Sequence, residues 1–134
     1  MTEMLAALAR WMLAALLAVA GVAHFVLPDS FLLLVPSWLP LPSAIVWVTG
    51  VAEIAFAAAL LFLTQGKRLR TVGVALAIFL LVVGAGNLSQ ALSGANAFGL
   101  GTDAERWARL AFQPVLIVWA LWATGFWSSR RPPR

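Results

Sequence analysis

Residues 47–63 read WVTGVAEIAFAAALLFL. The run approaches the length of about 20 predominantly apolar residues that a helix needs to cross a bilayer core, yet Glu53 stands near its middle. An acid at the centre of a span costs roughly 2.5 to 3.5 kcal/mol on insertion scales. Glu53 is therefore expected to face polar groups inside a helical assembly rather than lipid.

Working outward, this span is placed at residues 44–63, and three further runs of spanning length lie at 5–27, 72–92 and 107–126. The separators are a Pro-rich piece at 28–43, TQGKRLR at 64–70, a Gly- and Asn-bearing loop at 93–106, and the terminal WSSRRPPR. Composition agrees: 63% of the 134 residues are hydrophobic and 10% charged, against roughly 25% charged in a soluble domain, and the mean hydropathy is +0.95. The expected fold is all-α, a transmembrane four-helix bundle forming a single domain over residues 1–134.

Basic residues set the orientation, because short loops rich in Lys and Arg stay in the cytoplasm. Lys67, Arg68 and Arg70 form one cluster and Arg130, Arg131 and Arg134 another. With four spans both fall on the side of Arg10 and the N-terminus, so the bundle is expected to be N-in/C-in. Neither cluster is interleaved with aromatics, which points to the lipid bilayer and not to nucleic acid as the partner. The opening MTEMLAALAR puts an acid before its only base, and a long apolar run follows, so the first segment is expected to be retained and not cleaved as a signal peptide. With no cysteine, the chain itself performs no thiolate catalysis, disulfide relay or thiolate metal ligation.

Pro28, Pro36, Pro40 and Pro42 forbid a continuous helix in an otherwise apolar segment. Two forms are expected of it. One is a short amphipathic helix at 30–35 lying in the interface, capped by Asp29 or Ser30, with Trp38 at headgroup depth; the other is a compact loop folded over the bundle mouth.

In this topology His24, Glu53, Asn87, Arg109 and Gln113 all fall in the outer half of their spans. Polar residues at a common depth satisfy one another across a core. Arg109, His24 and Asn87 are expected to converge on Glu53, forming a ligand-binding pocket under the Pro-rich segment, with Glu53 as the candidate proton carrier. Bland readings stand beside this one: a structural ion pair for Glu53 and Arg109, an interfacial hydrogen bond for His24, and interhelical contacts for Asn87 and Gln113. Arg10 is expected to snorkel toward water. Trp47 and Trp107 are candidate walls, the other tryptophans belt residues. Pro114 is expected to bend the fourth span. One His, one Glu and one Asn beside an Arg make a poor cation ligand set, so no metal site is expected. A weak internal echo links Gly21 and His24 to Gly84 and Asn87, 63 positions later in both cases.

The stretches GVAHFVLPDSFLLLVPSWLPLP, VTGVAEIAFAAALLF, GNLSQAL and RWARLAFQPVLIVWALW resemble the DoxX-like family of small four-span bacterial membrane proteins. The resemblance singles out His24, Phe25, Pro28, Pro36, Pro40, Gly50, Glu53, Asn87, Arg109 and Gln113, and departs at Gly86, where relatives often carry proline. It implies a bacterial inner-membrane location and a redox-linked setting. The expected function is binding of a small amphipathic ligand such as a quinone, beside a redox enzyme partner or in a homodimer. If the chain is an enzyme, it is expected to be a membrane oxidoreductase subunit. A small-molecule or lipid transporter and a non-catalytic scaffold or assembly factor are the alternatives.

Overall fold

The computed structural model describes residues 1–128. Its elements are five helices: α1 (Thr2–Val26), α2 (Pro28–Leu32), α3 (Pro42–Phe62), α4 (Gly66–Ser93) and α5 (Asp103–Ala123). No strand occurs among the described residues. α1, α3 and α4 are long and apolar enough to cross a membrane. α5 is as long as α3, but its first two turns hold Asp103, Glu105, Arg106 and Arg109. The expected C-terminal cluster of Arg130, Arg131 and Arg134 lies outside the described residues.

The four long helices share a core built from Leu13, Leu17, Leu60, Leu76, Leu80 and Ala120 among others. α1 packs mainly on α3 and α4 mainly on α5, while α3 and α4 touch sparsely. The outer faces are apolar, with Val19, Leu81, Val82 and Val118 exposed, whereas Arg10, His24, Glu53, Asn87, Gln90, Arg106 and Gln113 are buried. This distribution inverts that of a water-soluble domain and matches the rule that intramembrane polar groups face a helical interior.

Two glycine contacts set the helix spacing. A Cβ on Gly21 would lie 2.9 Å from the carbonyl oxygen of Gly50, and one on Gly50 would lie 3.1 Å from that of Gly21. Between helices in lipid, where burial of leucine gains little, such close backbone approach supplies the van der Waals contact that holds the pair.

Several boundaries differ from those expected. α4 begins at Gly66 and not at 72, so Lys67, Arg68 and Arg70 sit inside its first turns; Lys, Arg and Leu are good helix formers and nothing after Gly66 breaks the helix. α2 starts two residues early because Pro28 takes the first helical position, with Leu27 as N-cap, so neither Asp29 nor Ser30 caps it. α4 runs unbroken past Gly86 and α5 past Pro114. Gly86 instead seats the Pro-rich segment: a Cβ there would lie 3.1 Å from the Leu34 carbonyl oxygen.

α5 starts at 103 because Thr102 and Glu105 form a capping box. The Thr102 backbone N–H and hydroxyl donate to the Glu105 carboxylate, which lies ahead of the apolar run, and these bonds hold that carboxyl below its usual range. A depressed folded-state value means that the stabilisation is present above the ordinary glutamate pKa, about 4.3, and is lost as pH falls through the folded value. Hydrogen-exchange protection of the first-turn amides of α5 is expected to drop on that acidification. In Glu105→Gln it should stay flat, and an acid-induced drop of equal size there would contradict the assignment.

Candidate functional site

His24 lies one turn from the end of α1, 6% exposed, and Glu53 lies midway along α3, 8% exposed. The crossing at Gly21 and Gly50 brings them together. His24 Nδ1 is 2.8 Å from the Ala20 carbonyl oxygen and 3.3 Å from Glu53 Oε2. A carbonyl only accepts, so the Nδ1 contact places a proton on that nitrogen. Nε2 makes no hydrogen bond among the described residues and is the ring nitrogen left for a ligand. Glu53 Oε2 is buried, and the polar group facing it is the imidazole Nδ1 at 3.3 Å.

Phe31 of α2 stacks on the imidazole, with ring centroids 3.6 Å apart and planes 26° from parallel. Phe98, from the α4–α5 loop, meets Phe31 edge-on at 4.7 Å. The Arg109 guanidinium carbon lies 4.6 Å from the Phe98 ring centroid. Phe98 holds this place with φ of 57°, a left-handed conformation that costs a bulky residue of order 1–3 kcal/mol. Strain of this kind persists only where surrounding contacts impose it, and here Phe98 joins α2 to α5.

The expected convergence on Glu53 is thus corrected in two places. Arg109 makes no ion pair with Glu53 and rests on Phe98, a contact that suits a planar, weakly hydrated guanidinium. Among the described residues the ion pairs are His24 with Glu53 and Arg106 with Asp103. Asn87 does not reach Glu53 either. Its amide donates to Gln113 Oε1 at 3.0 Å, and Gln113 Nε2 donates to the Leu80 carbonyl at 2.8 Å. Gln113 is therefore a two-point clamp on α4, lying over Gly84, where a Cβ would come within 3.1 Å of its Cγ. Arg106 turns to the loop, donating to the Leu100 carbonyl at 3.1 Å.

A cavity of about 330 Å³ lies between α3 and α4 beneath the Pro-rich segment. His24, Phe31, Trp38, Val46, Thr49 and Gly86 are among its lining residues. It is at the low end of the size range of small-molecule sites, about 300–1,000 Å³. Its walls are mostly apolar. The Thr49 hydroxyl hydrogen is committed to the carbonyls of Ile45 and Val46, leaving the His24 imidazole and the Trp38 indole N–H as the lining side-chain groups able to donate. Val82 lines the cavity and is 66% exposed on the outer face, so the cavity has a side entrance where α3 and α4 are sparsely packed. Of the five expected ligand residues only His24 lines it; Glu53 stands behind the imidazole, and Asn87, Arg109 and Gln113 are placed elsewhere. Trp47 and Trp107 are not part of its wall. Phe31 and Phe98 are site residues that the sequence reasoning misses. The signal that could have found them is a phenylalanine in each of two segments outside the spans, with no span to account for it.

At the opposite end Arg10 does not snorkel. It is 6% exposed and donates from Nη1 to the Thr64 carbonyl at 2.9 Å.

The family model described as Domain of unknown function (DUF8561) matches residues 13–124. No curated protein and no solved structure matches the chain.

Proposed function

The chain belongs to the DUF8561 family, and we propose that it is a multi-pass protein of the bacterial cytoplasmic membrane whose cavity under the Pro-rich segment binds a small amphipathic carbonyl compound such as a quinone. In this reading α5 crosses the membrane with α1, α3 and α4, and both termini lie inside. Support for a fourth span comes from its length, its share of the common core and its exposed Val115, Val118 and Trp122. The redox setting in this reading rests on the sequence resemblance to DoxX-like proteins alone.

The observation that carries the reading is the imidazole fixed at Nδ1 by Ala20 and Glu53, with Nε2 unpartnered among the described residues, on the wall of an otherwise apolar cavity that opens sideways. A lipid-soluble ring would enter between α3 and α4, pack against Phe31 and Val46, and place a carbonyl oxygen against Nε2. When the imidazole is protonated, Nε2–H donates to that oxygen, and Glu53 stabilises the cation. On two-electron reduction of the ring by a partner, the Nε2 proton of His24 would pass to the reduced oxygen, giving the hydroquinone monoanion and a neutral imidazole. Water would supply the second proton and reprotonate His24 beside the Glu53 carboxylate.

Titrating the purified protein in nanodiscs with a short-chain ubiquinone analogue tests this. Saturable binding is expected, weakened at least tenfold by His24→Ala. Glu53→Gln, which leaves the cation on His24 uncompensated, is expected to bind the oxidised ring more weakly at neutral pH than the wild type. Absence of saturation, or an unchanged affinity in His24→Ala, would reject the proposal.

A carrier is the second reading. It is favoured by one observation: a further cavity lies at the opposite end of the molecule, lined by α1, α4 and the end of α5, with the buried leucines Leu13, Leu60 and Leu76 between the two. Flux of a ligand into proteoliposomes would separate it from a binding subunit.

A further inference from the structure

The second cavity, of about 660 Å³, is enclosed by the start of α1, the start of α4 and the end of α5. Arg10 and Arg70 line it, as do Gly66, the first residue of α4, and Thr124; Glu3 is at its exposed edge. Arg10 is fourteen residues from His24 on α1, about 21 Å along the helix axis, so this site is separate from the one under the Pro-rich segment.

Arg10 is poorly satisfied for so buried a cation. Nη1 has the Thr64 carbonyl, Nε is buried with no partner among the described residues, and Nη2 makes no hydrogen bond among them. No carboxylate of the described residues forms an ion pair with it. A buried guanidinium left this way is costly unless an anion completes it. The start of α4 points the same way. Gln65, its N-cap, gives no side-chain hydrogen bond, and the first turn contains no acid. Its leading amides are therefore free donors at the positive end of a helix dipole. Arg70 adds a cation in the opening turns of the helix, where acids are ordinarily favoured, and it lines the cavity, whereas Lys67 and Arg68 do not. Gly66, with φ of 87° and nothing within 4 Å of where a Cβ would stand, leaves the approach to these amides open.

We propose that this cavity binds a phosphate group, with Arg10 and Arg70 as the guanidinium donors and the first amides of α4 as the backbone donors. A planar guanidinium fork matches phosphate oxygens, and a helix start accepts them without rearrangement. The same chemistry comes from two sources: the headgroup of an anionic phospholipid, which the apolar flank of Leu5 and Trp122 would suit, or a free phosphate. Glu3 opposes either, and the two lining arginines outweigh it.

The test is native mass spectrometry of the full chain released from nanodiscs of phosphatidylglycerol mixed with phosphatidylcholine, with and without inorganic phosphate. Retention of phosphatidylglycerol over phosphatidylcholine by tenfold or more is expected, falling at least tenfold in Arg10→Gln and several-fold in Arg70→Gln. Lys67→Gln, which removes a charge outside the cavity, should retain wild-type selectivity. If Arg10→Gln does not fold, Arg70→Gln decides. Lipid retention that survives inorganic phosphate assigns the site to a headgroup. Phosphate binding without lipid selectivity, lost in Arg70→Gln, assigns it to a free anion. No binding of either, or equal losses in Lys67→Gln and Arg70→Gln, overturns the proposal in favour of diffuse surface charge.

Discussion

Gly50→Ala is expected to destabilise the protein by about 3 kcal/mol, the upper end of ordinary overpacking, and to abolish the contact between His24 and Glu53. The added methyl would lie 2.7 Å from His24 Cβ, 3.1 Å from the Gly21 carbonyl oxygen and 3.1 Å from a ring carbon of Phe25. Two of these obstacles, a backbone oxygen and a Cβ, cannot swing aside as a flexible side-chain tip would. α1 and α3 must separate, and His24 moves with α1. Both effects are measurable in one preparation: the midpoint of SDS-induced unfolding in mixed micelles, and the affinity for the quinone analogue. Gly101→Ala is the matched control, since its new methyl would meet only Asn96 Nδ2 at 4.0 Å. A Gly50→Ala protein with wild-type stability and binding would mean that α1 and α3 do not cross here.

The importance of that crossing is partly legible in the sequence. Gly50 and Glu53 are three apart, as are Gly21 and His24, so spacing alone puts each pair on one helix face. The echo at Gly84 and Asn87 has a packing counterpart. In both places a glycine admits the partner helix, and the polar residue three positions on reaches a polar group there, Glu53 in one case and Gln113 in the other. The depth of each polar residue is readable too, because depth depends only on rise per residue. Rotation of each helix about its axis is not, because packing sets it. Arg109 shows the consequence. At the right depth to meet Glu53, it lies instead on a ring that a loop delivers through a left-handed phenylalanine, and no residue preference at Phe98 announces that conformation.

Composition misleads most at the cytoplasmic end of the proposed topology. Lys67, Arg68 and Arg70 suggest a loop because charge ordinarily marks the end of a span, yet a helix of 28 residues carries its bases beyond an apolar centre without breaking. Arg10 suggests a snorkelling residue because that is the ordinary behaviour of a lone arginine near a span end. Its burial depends on the Thr64 carbonyl, exposed where α3 stops at Phe62. Conversely, the sequence does carry the start of α5: TDAE at 102–105 is a capping-box pattern, and it moves the helix start to the observed position.

Gly73→Ala should have the largest effect of any single methyl addition. A Cβ there would stand 1.8 Å from Thr124 Oγ1 and 2.6 Å from Thr124 Cβ. Thr124 is buried, and its hydroxyl donates to the Ala120 carbonyl at 2.7 Å, so rotating the side chain gives up that bond without moving Cβ. The end of α5 has to shift, and because Thr124 lines the Arg10 cavity, the cavity shifts too. A loss of about 3 kcal/mol or more is expected, enough to leave most of a marginally stable membrane domain unfolded at low SDS. The pairing with Thr124 is tested by combination. Thr124→Gly removes Oγ1, Cγ2 and Cβ together and should restore most of the stability lost in Gly73→Ala. Thr124→Ser keeps both Oγ1 and Cβ, the two atoms that collide most severely, and should restore almost none. Equal rescue by the two, or none by either, would show that something other than this contact limits the approach of α4 to α5.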